Sequence, residues 1–161
     1  MKTLYVLRHG QAAPESEAST DHDRKLTLRG QAEVKRTALA LQERSSSPSL
    51  ILASSASRAR HTAELCRPSC AAGAELSIVN ELYLAGPESY LAALAARGKA
   101  HGVAMVVGHN PGLELLVQQL TERSEHLATA SLVEVELAIA AWAELSSGWR
   151  GSGRLVHTFR A

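Results

Sequence analysis

The chain has 161 residues, of which 45% are hydrophobic and 20% are charged. It is therefore too apolar for a disordered tail and too charged for a membrane protein. Its 17 basic and 16 acidic residues leave a formal charge of +1, which gives no electrostatic reason to expect a nucleic acid or an anionic membrane as a partner. Aromatic residues make up 4%, too few to indicate a base-stacking surface. We predict one small domain, residues 1–161, whose function depends on a local site.

The sequence favours a cytoplasmic protein. The apolar run near the start ends at Arg8, which is too short for the core of a signal peptide. No stretch reaches the roughly 20 apolar residues that a membrane-spanning helix needs.

Short apolar runs alternate with amphipathic segments along the chain. In chain order we predict a strand at 4–7, a loop at 13–25, a helix at 28–44, a strand at 50–53, a helix at 58–66, a strand at 76–79, a helix at 87–97, a strand at 103–107, a helix at 111–120, a strand at 132–137, a loop at 146–153 and a strand at 155–159. This alternation predicts a single-domain α/β fold, a three-layer α/β/α sandwich around a mainly parallel sheet.

Several residues indicate where these elements begin. Thr27 is placed to cap the first long helix. Asn110 is the predicted N-cap of the last helix, with Pro111 at its first position. In the strand at 132–137, Glu134 and Glu136 alternate with apolar residues, which predicts one face in contact with water.

The two cysteines, Cys66 and Cys70, are too few for a disulfide framework. Their spacing would bring them together on a helix, but Pro68 between them argues against a regular helix there. We expect free structural thiols, with a redox pair as the alternative.

Basic side chains and imidazoles follow the predicted strands. Arg8 and His9 end the first strand, Arg58 comes shortly after the second, and His109 follows the strand at 103–107. Ligands of open α/β sheets bind beyond the carboxyl ends of the strands. We therefore expect these four side chains at one edge of the sheet.

These residue types suit a phosphate group. The guanidinium group matches phosphate oxygens in a bidentate geometry, and the N-terminus of a helix adds oriented N–H groups. An imidazole among such cations has a disfavoured protonated form and remains a nucleophile near neutral pH. Phosphoryl transfer to histidine is the chemistry that this pattern indicates.

Two other interpretations use the same residues differently. A histidine at a strand end is often only a hydrogen-bonding residue, and we assign that role to five of the seven: His22, His61, His101, His126 and His157. A metal site is disfavoured because the histidines lack compact ligand spacing and because Arg8 and Arg58 would repel a cation.

The motifs at these positions resemble the histidine phosphatase superfamily, whose fold is also called phosphoglycerate mutase-like. They run along most of the chain as Leu7-Arg8-His9-Gly10, Leu26-Thr27-Leu28-Arg29-Gly30, Arg58-Ala59 within residues 54–62, and Val107-Gly108-His109-Asn110-Pro111-Gly112. The first and the last of these motifs are specific when they occur together. The short chain and the segment Leu82-Tyr83-Leu84-Ala85 are most similar to the SixA-type phosphohistidine phosphatases.

The resemblance implies a role for each residue. His9 is expected to be the nucleophile that is transiently phosphorylated, and Arg8, Arg58 and His109 are expected to form the phosphate pocket, without a metal or a cofactor. Larger members of the family protonate the leaving group with a carboxylic acid. Glu81 is the candidate by position, and an ordinary surface carboxylate is the alternative.

One local departure concerns residues 24 and 25. SixA-like sequences often carry an Arg-Pro pair here, whereas this chain has Arg24 and Lys25. We expect a solvated charge pair, with a secondary phosphate contact as the alternative.

The short chain also bears on the substrate. In the family, substrate-specific walls come from insertions, and only the segments 13–25 and 84–87 are candidates here. Such an open site suits phosphohistidine on another protein better than an enclosed sugar phosphate. The alternatives are a small-molecule phosphomonoesterase of the same superfamily and a non-catalytic phosphate-binding module.

Overall fold

The computed structural model describes residues 1–147 and 149–161, which form an α/β structure around one six-stranded sheet. The elements in chain order are β1 (Lys2–Arg8), α1 (Leu28–Gln42), β2 (Leu50–Ser54), α2 (Ser57–Cys70), β3 (Glu75–Val79), α3 (Pro87–Arg97), β4 (Val103–Gly108), α4 (Gly112–Thr121), β5 (Leu132–Leu137) and β6 (Gly153–Phe159). The strands lie in the order β3-β2-β4-β1-β5-β6.

The sheet is mainly parallel, as predicted. Strand β1 pairs in parallel with β4, and β2 pairs in parallel with both β4 and β3. Strand β5 runs antiparallel to both of its neighbours, β1 and β6. The carboxyl ends of β1, β2 and β4 therefore lie at the same edge of the sheet.

Alternate residues of β1 reach two separate cores. Leu4 and Val6 pack in the core that contains residues of α3 and α4. Tyr5 and Leu7 pack in the core that contains residues of α1 and α2. Because a strand directs successive side chains to opposite faces, the continuous apolar run places helices on both faces and produces the predicted three-layer sandwich.

The beginning of α1 agrees with the prediction. The Thr27 hydroxyl accepts a hydrogen bond from the Gly30 amide at 2.9 Å, which satisfies one of the free N–H groups of the first turn.

The beginning of α4 differs from the prediction. Asn110 is joined to Pro111 by a cis peptide bond, and the helix starts at Gly112. The Asn110 amide does not cap the helix but donates to Glu114 Oε1 at 3.0 Å and to the Leu127 carbonyl at 2.8 Å. The Leu127 carbonyl ties the turn to the segment that precedes β5, and Glu114 in α4 also accepts from the Leu127 amide at 2.8 Å.

Helix α2 is longer than predicted because it continues through Pro68 to Cys70. A proline removes only one N–H donor, and this one stands in the last turn of the helix. The thiols of Cys66 and Cys70 lie one turn apart, with 2.9 Å between their sulfur atoms, and both are free and buried. The hydrogen bond that the Cys66 thiol shares with the Cys70 sulfur, together with burial, raises the pKa of Cys66.

The prediction of a wet face on β5 is wrong at Glu134. This residue is 5% exposed, and its carboxylate accepts a hydrogen bond from Arg44 Nε at 2.7 Å. Arg44 follows α1, which covers this face of the sheet, so the glutamate is paired rather than solvated.

The C-terminal part also differs from the prediction. A short 3-10 helix, Trp142–Ser146, was not predicted, and β6 begins at Gly153 rather than at residue 155. The predicted loop at 146–153 includes Gly148, which lies outside the described residues.

Within residues 1–147 and 149–161, no helix combines the length and the apolar composition that crossing a bilayer requires.

Candidate active site

A cavity of about 580 Å³ opens at the carboxyl edge of the sheet, and the four predicted side chains line it. Arg8 and His9 reach it from the end of β1, and His109 reaches it from the end of β4, where Arg8 is in register with Gly108. Arg58 comes from the first turn of α2. The rings of His9 and His109 lie 5.2 Å apart between centroids.

The orientation of the His9 ring is set by a backbone group. Its Nδ1 lies 2.7 Å from the Gly10 carbonyl oxygen, which can only accept, so Nδ1 carries the proton. The other ring nitrogen, Nε2, is then an unprotonated lone-pair donor. Burial is the main cause that lowers the pKa of His9 to about 4, and the nearby Arg58 and Arg8 contribute to the same shift. The ring is therefore neutral at pH 7.

His109 is buried more deeply, at 2% exposure. Its Nε2 lies 2.7 Å from the Ser54 hydroxyl at the end of β2, and its backbone N–H donates to the Tyr90 hydroxyl at 3.2 Å. Burial lowers the pKa of His109 to about 3, with His9 and Arg58 as further causes. This ring is also neutral at pH 7.

The two arginines are fixed by acceptors behind the cavity. Arg8 Nη1 donates to the Leu127 carbonyl at 2.9 Å. Arg58 is 3% exposed and donates from Nη1 to the Asp21 carbonyl at 2.8 Å and from Nη2 to Asp21 Oδ2 at 3.1 Å. Among the described residues, Nε of Arg8 and Nε of Arg58 have no partner. Buried guanidinium N–H groups of this kind are suited to an oxyanion.

Asp21 connects several side chains at the cavity. Besides Arg58, its carboxylate accepts hydrogen bonds from the Tyr83 hydroxyl at 2.5 Å and from Arg24 Nη1 at 3.0 Å. The hydrogen bond from Tyr83, together with those from the two arginines, holds the pKa of Asp21 well below its usual range. Asp21 is therefore an anion that orients Arg58 rather than a proton donor.

The turn after His9 is held tightly by its neighbours. The Gly10 amide donates to the Thr62 hydroxyl at 3.1 Å, and the Gln11 amide donates to Glu33 Oε1 at 3.1 Å. A Cβ atom on Gly10 would lie 2.6 Å from the Gly30 carbonyl oxygen, too close for a real contact. Glycine is therefore required where α1 approaches this turn.

The arrangement can bind a tetrahedral oxyanion against a nucleophilic nitrogen. Two guanidinium groups supply positive charge and directed donors, and two neutral imidazoles stand beside them. A phosphoryl group placed there would have its oxygens near cations and its phosphorus near a lone pair of His9.

Comparison with known proteins agrees with this geometry. Residues 4–82 match the model of a family described as the histidine phosphatase superfamily (branch 1). The chain belongs to the histidine phosphatase superfamily. A search of curated proteins finds no match.

Solved structures place this histidine phosphatase near the SixA proteins in fold. A structure from Agrobacterium tumefaciens, named a phosphohistidine phosphatase SixA, is 27% identical, with a TM-score of 0.81 and coverage of 99% of this chain and 98% of the other. One from Nakamurella multipartitia with the same designation is 24% identical, with a TM-score of 0.85 and coverage of 99% and 95%. A protein histidine phosphatase SixA in complex with tungstate is 23% identical, with a TM-score of 0.81 and coverage of 98% and 96%. The predicted phosphoglycerate mutase-like fold is confirmed, and the chain is a phosphatase of the histidine type.

One predicted residue of the histidine phosphatase lies elsewhere. Glu81 is exposed in the short 3-10 helix Asn80–Leu82. It lines a different cavity, of about 290 Å³, together with residues of α3 such as Ser89 and Arg97. Glu81 does not line the cavity of the four predicted residues, so the expectation that it protonates the leaving group is corrected.

Eight further residues line the cavity that the sequence analysis did not name as site residues. These are Gln11, Ala12, Glu15, Asp21, Tyr83, Leu84, Asn110 and Thr129. Glu15 and Asp21 lie in the segment 13–25 and Leu84 lies in the segment 84–87, which were predicted as candidate substrate walls. Tyr83 and Leu84 also belong to a motif, whereas no pattern in the polar loop identifies Asp21.

Arg24 lines the same cavity and is half-buried. Its Nε donates to the Ala13 carbonyl at 2.7 Å, and Nη1 pairs with Asp21. Lys25 is exposed and lines a separate cavity on the outer side of the loop. Arg24 and Lys25 were predicted to be solvated charges. For Arg24 this prediction is wrong, because its guanidinium group pairs with Asp21.

Proposed function

We propose that this histidine phosphatase removes the phosphoryl group from phosphohistidine on another protein and that it does so without a metal. One observation carries the proposal: His9 directs Nδ1–H to its own backbone neighbour and is left with a free Nε2 beside Arg8, Arg58 and His109. An unprotonated nitrogen surrounded by donors to phosphate oxygens is the arrangement that phosphoryl transfer to histidine needs.

The reaction has two displacement steps. In the first, the Nε2 lone pair of His9 forms a bond to phosphorus, and the P–N bond of the substrate breaks. The substrate imidazole leaves with that electron pair and takes a proton from water. In the second, a water molecule attacks phosphorus and gives up a proton that neutralises the hydroxide left in the first step. The bond to Nε2 breaks, the electron pair returns to His9, and inorganic phosphate departs.

The other three residues stabilise charge on the transferred group. Arg8 and Arg58 are assigned to the equatorial oxygens, because each is a cation whose buried Nε–H group lacks a partner among the described residues. His109 is assigned as a neutral hydrogen-bond donor, since its lowered pKa keeps it from adding a further positive charge at pH 7.

Two features support a protein substrate. Two of the segments that line the cavity are short, the loop at 13–25 and the turn at 83–86. A phosphohistidine that projects from a protein surface can reach such a cavity without an enclosing lid. In addition, similar structures that span 98–99% of this chain carry the name phosphohistidine phosphatase or protein histidine phosphatase. A cytoplasmic location stays a prediction from the sequence.

The alternative is a small-molecule phosphomonoesterase with the same nucleophile. A volume of about 580 Å³ lies within the roughly 300–1,000 Å³ of typical small-molecule sites. The volume alone thus admits a phosphorylated metabolite.

The test is a substrate panel followed by trapping of the phosphoenzyme in an alkaline denaturing quench. We expect the wild-type protein to dephosphorylate a histidine-phosphorylated protein faster than phosphoserine, phosphotyrosine or sugar phosphates, and to carry an acid-labile phosphate on His9 after a brief reaction. Turnover is expected to continue in EDTA. His9→Ala should lose both label and turnover, whereas His61→Ala, on α2 outside the cavity, should keep both.

Two results would contradict the proposal. Efficient turnover of a sugar phosphate with none of phosphohistidine would favour the alternative. An active His9→Ala variant would exclude the nucleophile.

A further inference from the structure

Leu84 stands at the mouth of the cavity and differs in character from its surroundings. It is 59% exposed, whereas His9, Arg58 and His109 below it are 8%, 3% and 2% exposed. Among the described residues that line the cavity, Leu84 is the one large aliphatic side chain. It therefore offers an apolar surface at the rim of a polar cavity.

The backbone of Leu84 adopts a conformation that leucine disfavours. Its φ angle is +49°, in the left-handed region where Gly and Asn are much more common. An exposed leucine in this region gains nothing for folding, because the side chain is not buried and the backbone is strained. Strain of this kind is concentrated at functional sites.

Both neighbours hold Leu84 in place. The Tyr83 hydroxyl donates to Asp21 Oδ2 at 2.5 Å. On the other side, the Ala85 carbonyl packs so closely on Gly112 that a Cβ there would collide with it. The rim position is therefore built into the fold and does not depend on a free loop.

The geometry of phosphoryl transfer determines which part of the substrate lies at this rim. The attacking and leaving atoms lie roughly in line on opposite sides of phosphorus. Because His9 lies at the buried floor of the cavity, the leaving group must point toward the mouth, where Leu84 is exposed.

We propose that Leu84 is a specificity-determining residue that packs against the flat ring of an aromatic leaving group, such as the imidazole of phosphohistidine. The inference rests on the proposed function, because it takes His9 as the attacking group. An aliphatic side chain favours a ring face over a polyhydroxylated leaving group, whose hydroxyls would lose water without a partner.

The test compares kcat/KM for two pairs of small substrates. N-phosphohistidine and phosphoramidate share a P–N bond, and phenyl phosphate and methyl phosphate share a P–O bond; in each pair only the first carries a ring. Leu84→Asn should lower kcat/KM for the ring-bearing substrates about five- to tenfold, the loss expected when a partly buried aliphatic contact is removed, and should change the ring-free substrates less than about twofold. Asn tolerates the left-handed region, so the backbone is expected to stay in place.

Two further variants complete the design. Leu84→Met keeps an apolar side chain and should retain the preference for rings. Leu28→Ala is the matched control, because Leu28 is 84% exposed and does not line the cavity.

The outcomes separate this inference from the proposed function. Equal losses on both members of a pair, or no loss, overturn the role of Leu84. Failure to act on phosphohistidine, with a ring preference between phenyl and methyl phosphate that Leu84→Asn removes, refutes the proposed substrate and supports Leu84. A wild-type protein that turns over none of the four substrates and no histidine-phosphorylated protein overturns both.

Discussion

The two cavity histidines owe their neutral state mainly to burial. The sequence predicted that neighbouring arginines would disfavour the protonated form of His9. The direction is correct, since the pKa is lowered to about 4, but loss of solvent is the largest cause and the arginines add to it. Burial is also the largest cause for His109, and His9 and Arg58 add to it. A nucleophile of this kind is available well below pH 7.

Asp21 forms contacts that organise the site and that the sequence did not predict. Its carboxylate joins Arg58 from α2, Arg24 from its own loop and Tyr83 from the turn before α3. A single anion thus holds three segments around the cavity, and the orientation of Arg58 depends on it.

Removing the charge of Asp21 should reduce catalysis more than stability. Hydrogen bonds to charged groups contribute roughly 1.5–3 kcal/mol, so Asp21→Asn is expected to lower kcat/KM by about tenfold or more, because Arg58 loses its charged acceptor. Tyr83→Phe removes one donor and should give a smaller loss. In the double variant the losses should not add, since both act through the same carboxylate. Steady-state kinetics on phosphohistidine measures these effects.

Asp23→Asn is the matched control for Asp21→Asn. Asp23 lies two residues away and bonds Ser19 and Thr20 on the exposed side of the loop. A similar loss in this variant, or full activity in Asp21→Asn, would contradict the positioning role of Asp21.

At the scale of elements, the contact between the start of α1 and the turn after β1 determines the position of His9. Gly10 and Gly30 let the two backbones approach, and Glu33 and Thr62 accept the amides of the turn. The glycines of the motifs at 7–10 and 26–30 are therefore two sides of one contact between elements.

Because of this contact, we expect Gly30→Ala to destabilise the protein, which is the opposite of its usual effect in a helix. In an ordinary helix position the change stabilises by up to about 1 kcal/mol. Here a Cβ would collide with the Gln11 backbone, so we expect the free energy of unfolding to fall by about 2 kcal/mol, in the range of overpacked sites. Urea unfolding gives the value, and Gly102→Ala, where the added Cβ meets no atom within 4 Å, serves as control. A Gly30→Ala protein as stable as wild type would rule out the tight contact.

At the scale of the whole molecule, the two buried histidines make the stability of the folded protein depend on pH. In the unfolded chain, imidazoles take up protons near pH 6.5, whereas His9 and His109 have pKa values of about 4 and about 3 in the folded protein. Below pH 6.5 the unfolded state therefore binds more protons, and the folded protein loses stability as pH falls from 6.5 toward 4. Above pH 6.5 both rings are neutral in both states, and they add no pH dependence.

This linkage can be measured between pH 6 and pH 5. Each ring contributes a slope of up to about 1.4 kcal/mol per pH unit in the free energy of unfolding. We expect urea unfolding to show a shallower pH dependence in His109→Asn and a still shallower one in the His9→Asn, His109→Asn double variant. A double variant with the wild-type slope would refute the contribution of these rings.

The sequence by itself determined the α/β fold and the convergence of Arg8, His9, Arg58 and His109. Apolar runs, caps and glycine turns are local signals, and parallel strands bring their carboxyl ends to one edge. The tertiary structure decided the rest: Glu81 faces a different cavity, Glu134 is buried against Arg44, Asp21 and Tyr83 join behind Arg58, and Leu84 stands at the rim. These positions depend on how loops and helices pack on the sheet, and contacts between segments distant in the chain leave no periodic pattern in the sequence.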